Sequence, residues 1–550
     1  MTRRRNLPVI LLFGALIAGA LMLVVAGWHV TYFQDTFDFL LDRQSWDLSS
    51  FVTPWNEHIV IIPVLITKVL LAIFGMTSST PEQVFMGLTV LAASALLFVW
   101  MRRRIDPWLA LILSVLFLFL GSAWPVTIWP FEDFFTLPVC FGLAMLLMLD
   151  REDARGDGWA CALLVLATLS STLGLSFIAA AFVDFLLNRR TRGWRRAYVF
   201  AIPLLLYVTW YLGWGHDAEH HVTLDAILSS PAFVVEGFAT AIAALAGLSG
   251  NVTLGGGTQF AWGQPLLVGA VALVAFGQWR RPGLSRGFWT ASAAAASFWL
   301  LGAFNYVPGR EASSGRYIYV GAFFVLLMVT ELLVGWRFSR RALIATAAAA
   351  LLAIGPNLAQ LKAGSDFMQE QSVLTRADLA AMNIARDTIS YEFTLGSPEV
   401  AGTPSLPLVG APGYFAAVDR WGSPAYSVAE LEAASVTGRH FADLVLAAAL
   451  PISHETAAGL SRPVAGSSCA TMPAGQAVAK EVPVAGKVTV EVAPGAPAPI
   501  ALRRFSTGEF PVAVATAEGG TTTTINIPAD RAKNPWFVHV EASQLVRVCD

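Results

Sequence analysis

Charge is scarce in this chain of 550 residues. Asp, Glu, Lys and Arg together make up 13% of it, about half of what a soluble globular protein carries. A single soluble enzyme is not expected at that level. A basic excess is missing too: the formal net charge is −2, so no positive field is available for nucleic-acid phosphates. Cysteines number only four, and none falls in a CxxC pair, which removes the disulfide-dense scaffold and the zinc ribbon. No internal repeat of fixed period is visible either. What fills the chain is apolar residues, at 55%.

The apolar residues are not spread evenly. Residues 1–360 are long hydrophobic runs broken by short polar loops, whereas residues 361–550 have ordinary polarity with many Pro, Gly, Thr and Ala. The first run, residues 7–30, is uncharged behind Arg3, Arg4 and Arg5. It is longer than the roughly 7–15 residues of a signal-peptide core, and is expected to be an uncleaved span with a cytoplasmic N-terminus.

Counting spans turns on two ambiguous segments, 58–75 and 231–250. If both crossed the membrane, the arginine clusters at 102–104, 151, 155 and 189–196 would face outside, against the positive-inside bias. If both lie at the outer interface, nineteen arginines face inward: 3–5, 102–104, 151, 155, 189, 190, 192, 195, 196, 280, 281, 286, 337, 340 and 341. Arg43, Lys68 and Arg310 then stay outside, with Arg316 at a boundary. His58, Pro63 and Lys68 also suit an interfacial helix better than a lipid-buried one. About eleven spans follow: 7–30, 83–101, 107–123, 134–149, 159–171, 174–187, 197–214, 265–279, 287–304, 316–334 and 342–358. Both flanks of 159–187 carry arginine, so two short helices must turn near Ser170, Ser171, Thr172 and Gly174 to return the chain to its own side.

The fold class expected is an α-helical polytopic membrane protein with a C-terminal extracytoplasmic α+β domain (361–550) ending in a β-rich region. In that domain Thr375 with Asp378, and Ser427 with Glu430, have capping-box spacing. Residues 487–492, 523–527 and 536–540 alternate as strands do. Cys469 and Cys549 are its only cysteines, and an outer compartment permits their pairing. Cys140 and Cys161 fall within spans as small apolar residues.

The cytoplasmic loops are too short for a catalytic domain, so candidate chemistry lies outside. Asp35 and Asp38 follow the first span, and Glu57 and His58 follow Trp55 and Asn56. Glu132 and Asp133 close the next outer loop; Arg310 and Glu311 belong to a late one, followed by Arg316 and Tyr317 at the start of a span. Carboxylates opposite guanidinium groups suit acid–base chemistry beside a phosphate. The same acids would also serve as solvated helix caps, and an outer-face arginine would also bind lipid headgroups. His216, His220 and His221 lack a second metal-ligating element, so a solvated loop is the simpler reading. Asn251-Val252-Thr253 fits a glycosylation sequon without other support.

This organisation resembles the polytopic GT-C glycosyltransferases, which use polyprenyl-phosphate sugars. A carboxylate just past the first span is matched by Asp35, with Asp38 one turn later. Juxtamembrane helices are matched by 36–48 and 58–75. Residues 70–75, then a turn and a span closing on Arg102–Arg104, are similar to the aminoarabinose- and mannosyl-transferase branches. Glu132 and Asp133 match a second acidic position, and Gly315-Arg316-Tyr317 a Ser-Arg-Tyr element. Ser170-Ser171-Thr172 departs from the family's basic turn. The Asp-Asp pair and the Trp-Trp-Asp motif of the oligosaccharyltransferases are absent, so protein N-glycosylation is not implied.

The resemblance implies a module at 1–360 that moves a sugar from a polyprenyl-phosphate donor to a glycan or lipid acceptor outside a bacterial cytoplasmic membrane. Asp35 would be the general base, Glu132 or Asp133 would stabilise the oxocarbenium-like transition state, and Arg316 and Arg310 would clamp the phosphate with help from His58 and Lys68. Partners implied are the donor, the acceptor and membrane lipid, with no nucleic acid; no particular cofactor is implied, and a divalent metal stays open. Two other classes remain: a lipid-linked saccharide transporter, and a non-enzymatic membrane assembly protein.

Overall fold

A computed structural model of the chain describes residues 2–218, 222–250, 261–280, 283–397, 408–459, 468–475, 477–483, 485–507 and 512–550. His220, His221, the Asn251–Thr253 sequon and Arg281 lie outside the described residues. The chain forms two compact units: Met1–Val30, Ser45–Leu70 and Thr80–Met368 make the first, and Thr31–Gln44, Leu71–Ser79 and Gln369–Asp550 the second.

Helices in chain order begin with α1 (Thr2–Ala26), α2 (Thr36–Leu41), α3 (Ser49–Val52), α4 (Ile61–Phe74), α5 (Thr80–Met101), α6 (Pro107–Leu118), α7 (Trp124–Ile128) and α8 (Asp133–Leu149). They continue as α9 (Ala154–Ser170), α10 (Gly174–Arg192), α11 (Tyr198–Gly213), α12 (Leu224–Leu245), α13 (Gly263–Arg280), α14 (Arg286–Phe304), α15 (Gly315–Leu332) and α16 (Arg340–Ala385). Short polar residues start many of them: Asp106 accepts from Trp108 N–H ahead of α6, Asp153 from Gly156 ahead of α9, and Ser285 from Phe288 ahead of α14. Each satisfies a backbone donor that the first turn cannot pair internally.

Eight of these helices, rather than eleven, are long and apolar enough to cross a membrane, or nine if the bent pair Pro107–Leu118 and Gly121–Ile128 counts as one. Four expected spans fail the test: 107–123 passes only as part of the bent pair, 159–171 does not pass, and 174–187 and 265–279 fall in the shorter apolar helices Gly174–Asn188 and Gly263–Trp279; Leu224–Leu245 is added. The turn expected near Ser170–Gly174 is present as the break between α9 and α10. Gly174 is required there, because a Cβ would lie 2.5 Å from the Thr168 backbone.

Helix α12 has 22 residues and passes the same length and composition test, although 231–250 was expected to lie flat. It packs against α13, α14 and α15. Phe233 meets Tyr306 beyond α14, Gly237 abuts Trp299 of α14, and the Thr240 hydroxyl donates to Ala312 O ahead of α15. Farther along, Asn357 of α16 donates to Ala244 O.

In the second unit, α17 (Ala411–Trp421), α18 (Val428–Glu432) and α19 (Val436–Ala449) precede nearly all of the strands. The strands are β1 (Thr394–Leu395), β2 (Val409–Gly410), β3 (Ser453–Ala458), β4 (Cys469–Met472), β5 (Ala477–Val482), β6 (Gly486–Val492), β7 (Ala498–Arg503), β8 (Val512–Ala517), β9 (Thr521–Ile527), β10 (Trp536–Glu541) and β11 (Val546–Cys549). Among the described residues they form the small β1-β2 pair and two larger antiparallel sheets, ordered β5-β10-β7-β8 and β3-β9-β6-β11-β4. Their alternating residues, among them Val488, Val490, Ile500, Leu502, Ile525, Trp536 and Val538, bury into one core with Leu379, Met382 and Leu446. Period-two alternation is what lets a strand bury one face.

Cys469 and Cys549 face each other in the β4–β11 register and form a disulfide across 80 residues, Cα to Cα 4.2 Å. The Ser427–Glu430 capping box is complete. The Thr375–Asp378 expectation is corrected: both residues sit buried inside the 46-residue helix α16. Ala- and Leu-rich sequence on either side lets the helix run through the motif.

Candidate functional site

Within the first unit, the chain reverses tightly at Trp55–His58. Trp55 and His58 exchange backbone hydrogen bonds of 3.1 and 2.8 Å, with Asn56 at φ 47°, a left-handed conformation that Asn tolerates better than most residues. The His58 ring stacks on Trp55 at 6.0 Å and 20°. Trp55 in turn packs edge-on to Phe131 at 4.8 Å and beside Phe134 at 5.3 Å, ahead of and within α8. An aromatic wedge thus fixes where Glu57 and His58 point.

Glu57 receives two hydrogen bonds from one guanidinium nitrogen of Arg310, at 2.8 and 2.9 Å. His58 Nε2 lies 3.6 Å from Glu57 Oε1, and its Nδ1 hydrogen-bonds the Thr172 hydroxyl at the α9–α10 turn. Burial raises Glu57, but His58 and the permanent charge of Arg310 outweigh it, and the carboxyl sits below its ordinary value. Burial depresses His58; Glu57 opposes this, and Arg310 and Arg316 add to it, so the imidazole stays below its usual range. The arrangement is an ionised carboxylate, a histidine biased to neutrality and a hydroxyl in one chain of contacts.

These groups line a cavity of about 220 Å³. Tyr207 and Tyr211, one turn apart on α11 and stacked at 6.3 Å, form another wall. Tyr317 of α15, Ser176 of α10, Ser171 and Asn305 add to the polar lining. The Ser176 hydroxyl is fully buried and has no hydrogen-bond partner among the described residues, a cost of ~1–3 kcal/mol that a bound polar ligand would relieve. Arg316 sits in the first turn of α15 beside Tyr317, and forms no ion pair among the described residues.

The other expected residues fall elsewhere. Glu132 and Asp133 are buried at the start of α8, and Glu82 of α5, which the sequence did not single out, is near enough for its charge to act on Asp133. Lys68 is caged: it donates to Ser45 O and to Ser50 Oγ, and lies over the rings of Phe51 (4.6 Å) and Trp46 (5.4 Å). Asp35 and Asp38 belong to the second unit, Asp35 just ahead of α2 and Asp38 in its first turn near buried Arg43. His216 is exposed and pairs with neighbouring Asp217 at 3.3 Å. Among the described residues, no three His, Cys, Asp or Glu side chains converge to hold a metal ion.

Sequence reasoning had named Thr172 only as part of the turn, and had passed over Ser176, Tyr207 and Tyr211. The i, i+4 tyrosines were detectable as one polar stripe on an apolar helix; Ser176 carried no signal. Against known proteins, the chain matches no family model and no curated sequence.

Proposed function

We propose that the chain is a multi-pass membrane glycosyltransferase of the GT-C type, moving a sugar from a polyprenyl-phosphate donor to an extracytoplasmic glycan or lipid. The bacterial cytoplasmic membrane, with the N-terminus inside and residues 361–550 outside, is the setting that agrees with the arginine distribution.

The observation that carries the proposal is the cavity itself. It brings together Glu57, His58, Thr172 and Tyr317, with Arg310 backing Glu57 and Arg316 in the adjacent turn. In transfer, the acceptor oxygen bonds the anomeric carbon as the carbon–phosphate oxygen bond breaks. The bonding pair leaves on the lipid phosphate, and the acceptor proton passes to a base. Arg316 suits the leaving phosphate because no carboxylate has claimed it, and the hydroxyls of Tyr317 and Thr172 can donate to the same oxygens. Two carboxylates are candidates for the base: Asp35 on the family resemblance, and Glu57 on the cavity.

Asp35→Asn and Glu57→Gln distinguish them. The variant that removes the base should lower turnover of a polyprenyl-phosphate sugar at least ~100-fold with membrane insertion intact, while the other falls less. Normal turnover in both would refute the acid–base assignment.

A further inference from the structure

Helices α1, α6 and α16 of the first unit run parallel. Gly19 packs on Leu118 near the C-terminal ends of α1 and α6, and Ser365 of α16 donates to Ala26 O at 2.7 Å. Near the opposite ends, Leu7, Trp108 and Arg340 share the wall of one cavity of about 1070 Å³. Apart from Trp108 and Arg340, that wall is entirely Leu, Ile, Val and Ala. It follows α16 from Arg340 to Ile354, roughly 21 Å at 1.5 Å per residue. Half of a bilayer with its headgroups is about 20–22 Å deep.

The mouth of this groove differs from its depth. Arg337, Arg340 and Arg341 are exposed, and among the described residues none of the three forms an ion pair. Trp108 is 37% exposed on the same wall, a side chain favoured at headgroup level. All three helices also present their N-terminal, partially positive ends here. The basic clusters of the cytoplasmic loops place this mouth at the inner leaflet, where basic pockets between helices take anionic headgroups.

We infer that the groove binds one anionic diacyl phospholipid of the phosphatidylglycerol type, its phosphate at Arg340 and an acyl chain along Leu343, Ala347 and Leu351. The one-leaflet length fits a fatty-acyl chain; a polyprenyl chain would overrun it. This inference rests on the membrane-spanning part of the proposed function and is independent of sugar transfer.

Native mass spectrometry of the full chain titrated with dioleoyl-phosphatidylglycerol or dioleoyl-phosphatidylcholine tests it. Phosphatidylglycerol should bind more tightly. Arg340→Gln should weaken it about five-fold, the worth of one arginine near an anionic surface, and weaken phosphatidylcholine, whose choline offsets the phosphate charge, by less. Ala347→Phe, which fills the groove without touching charge, should weaken both. Equal binding of the two lipids, a preference that survives Arg340→Gln, or recovery of a polyprenyl phosphate in place of phospholipid would overturn the site. Alkaline carbonate extraction separates the two failures. Protein released from membranes contradicts the spanning reading, whereas retained protein without lipid preference contradicts only the groove.

Discussion

Each unit holds a guarded ion pair, and the two pairs are finished differently. In the second unit Arg504 and Asp530 are fully buried, and the guanidinium also donates to Asn534 O at 2.9 Å and Ala532 O at 3.0 Å. Nearby, Asp443 accepts from the backbone N–H groups of Arg504, Phe505 and Ser506 and from the Ser506 hydroxyl. Every strong donor in that knot has an acceptor. In the first unit Arg310 and Glu57 also pair, but around them His58 is held toward neutrality, and among the described residues Arg316 has no carboxylate and Ser176 keeps an unmet hydroxyl. A satisfied knot fixes a loop; an unsatisfied one leaves groups for a ligand.

The largest effect expected from this contrast is in the second unit. Asp530→Ala strands a buried guanidinium and should cost about 3–5 kcal/mol, read by thermal unfolding, while transfer per folded molecule holds. If activity fell and stability did not, the knot would be part of the site. Arg316→Ala should do the reverse. Stability should stay within ~0.5 kcal/mol, as for surface changes away from packed features, while donor turnover drops at least ~10-fold. Unchanged turnover would remove Arg316 from the phosphate role.

The smallest effect concerns pH. The folded His58 value lies below 6.5, so folding favours the neutral ring; its contribution is full above pH 6.5 and is lost as pH falls through the folded value. Glu57 is also lowered, from 4.5, so its contribution is full above that pH and is lost farther down. Stability of the first unit should therefore decline from pH 7 toward 4, and His58→Gln should flatten the upper part of that decline. Identical pH profiles for both proteins would contradict the assignment.

How much of this was legible in the sequence varies by element. The break at Ser170–Gly174 followed from arginines on both flanks, since charge counts force an even number of crossings. Strands β6, β9 and β10 announced themselves by alternation. β3 did not, being exposed along its whole length in Ser453–Ala458, so no apolar face marks it. Thr375–Asp378 misled because capping spacing identifies a start only where the preceding residues cannot propagate helix. At the site, Glu57, His58, Arg310 and Tyr317 were visible as charge and aromatics in outer loops. Thr172 was legible as part of the turn but not as the partner of His58, and Ser176 was not legible at all, because a hydroxyl shows its use only when another segment folds against it.

Sugar transfer from a polyprenyl-phosphate donor is the central claim, and phosphorus NMR of the purified protein in lipid nanodiscs reads it directly. With a polyprenyl-phosphate sugar and a glycan acceptor, the phosphodiester signal should convert to polyprenyl monophosphate as new glycoside appears, and Arg316→Ala should slow this at least ~10-fold. A phosphodiester that stays intact with the unmutated protein across donor sugars, while the same donor crosses the bilayer, would contradict the account and make the chain a carrier of lipid-linked saccharides.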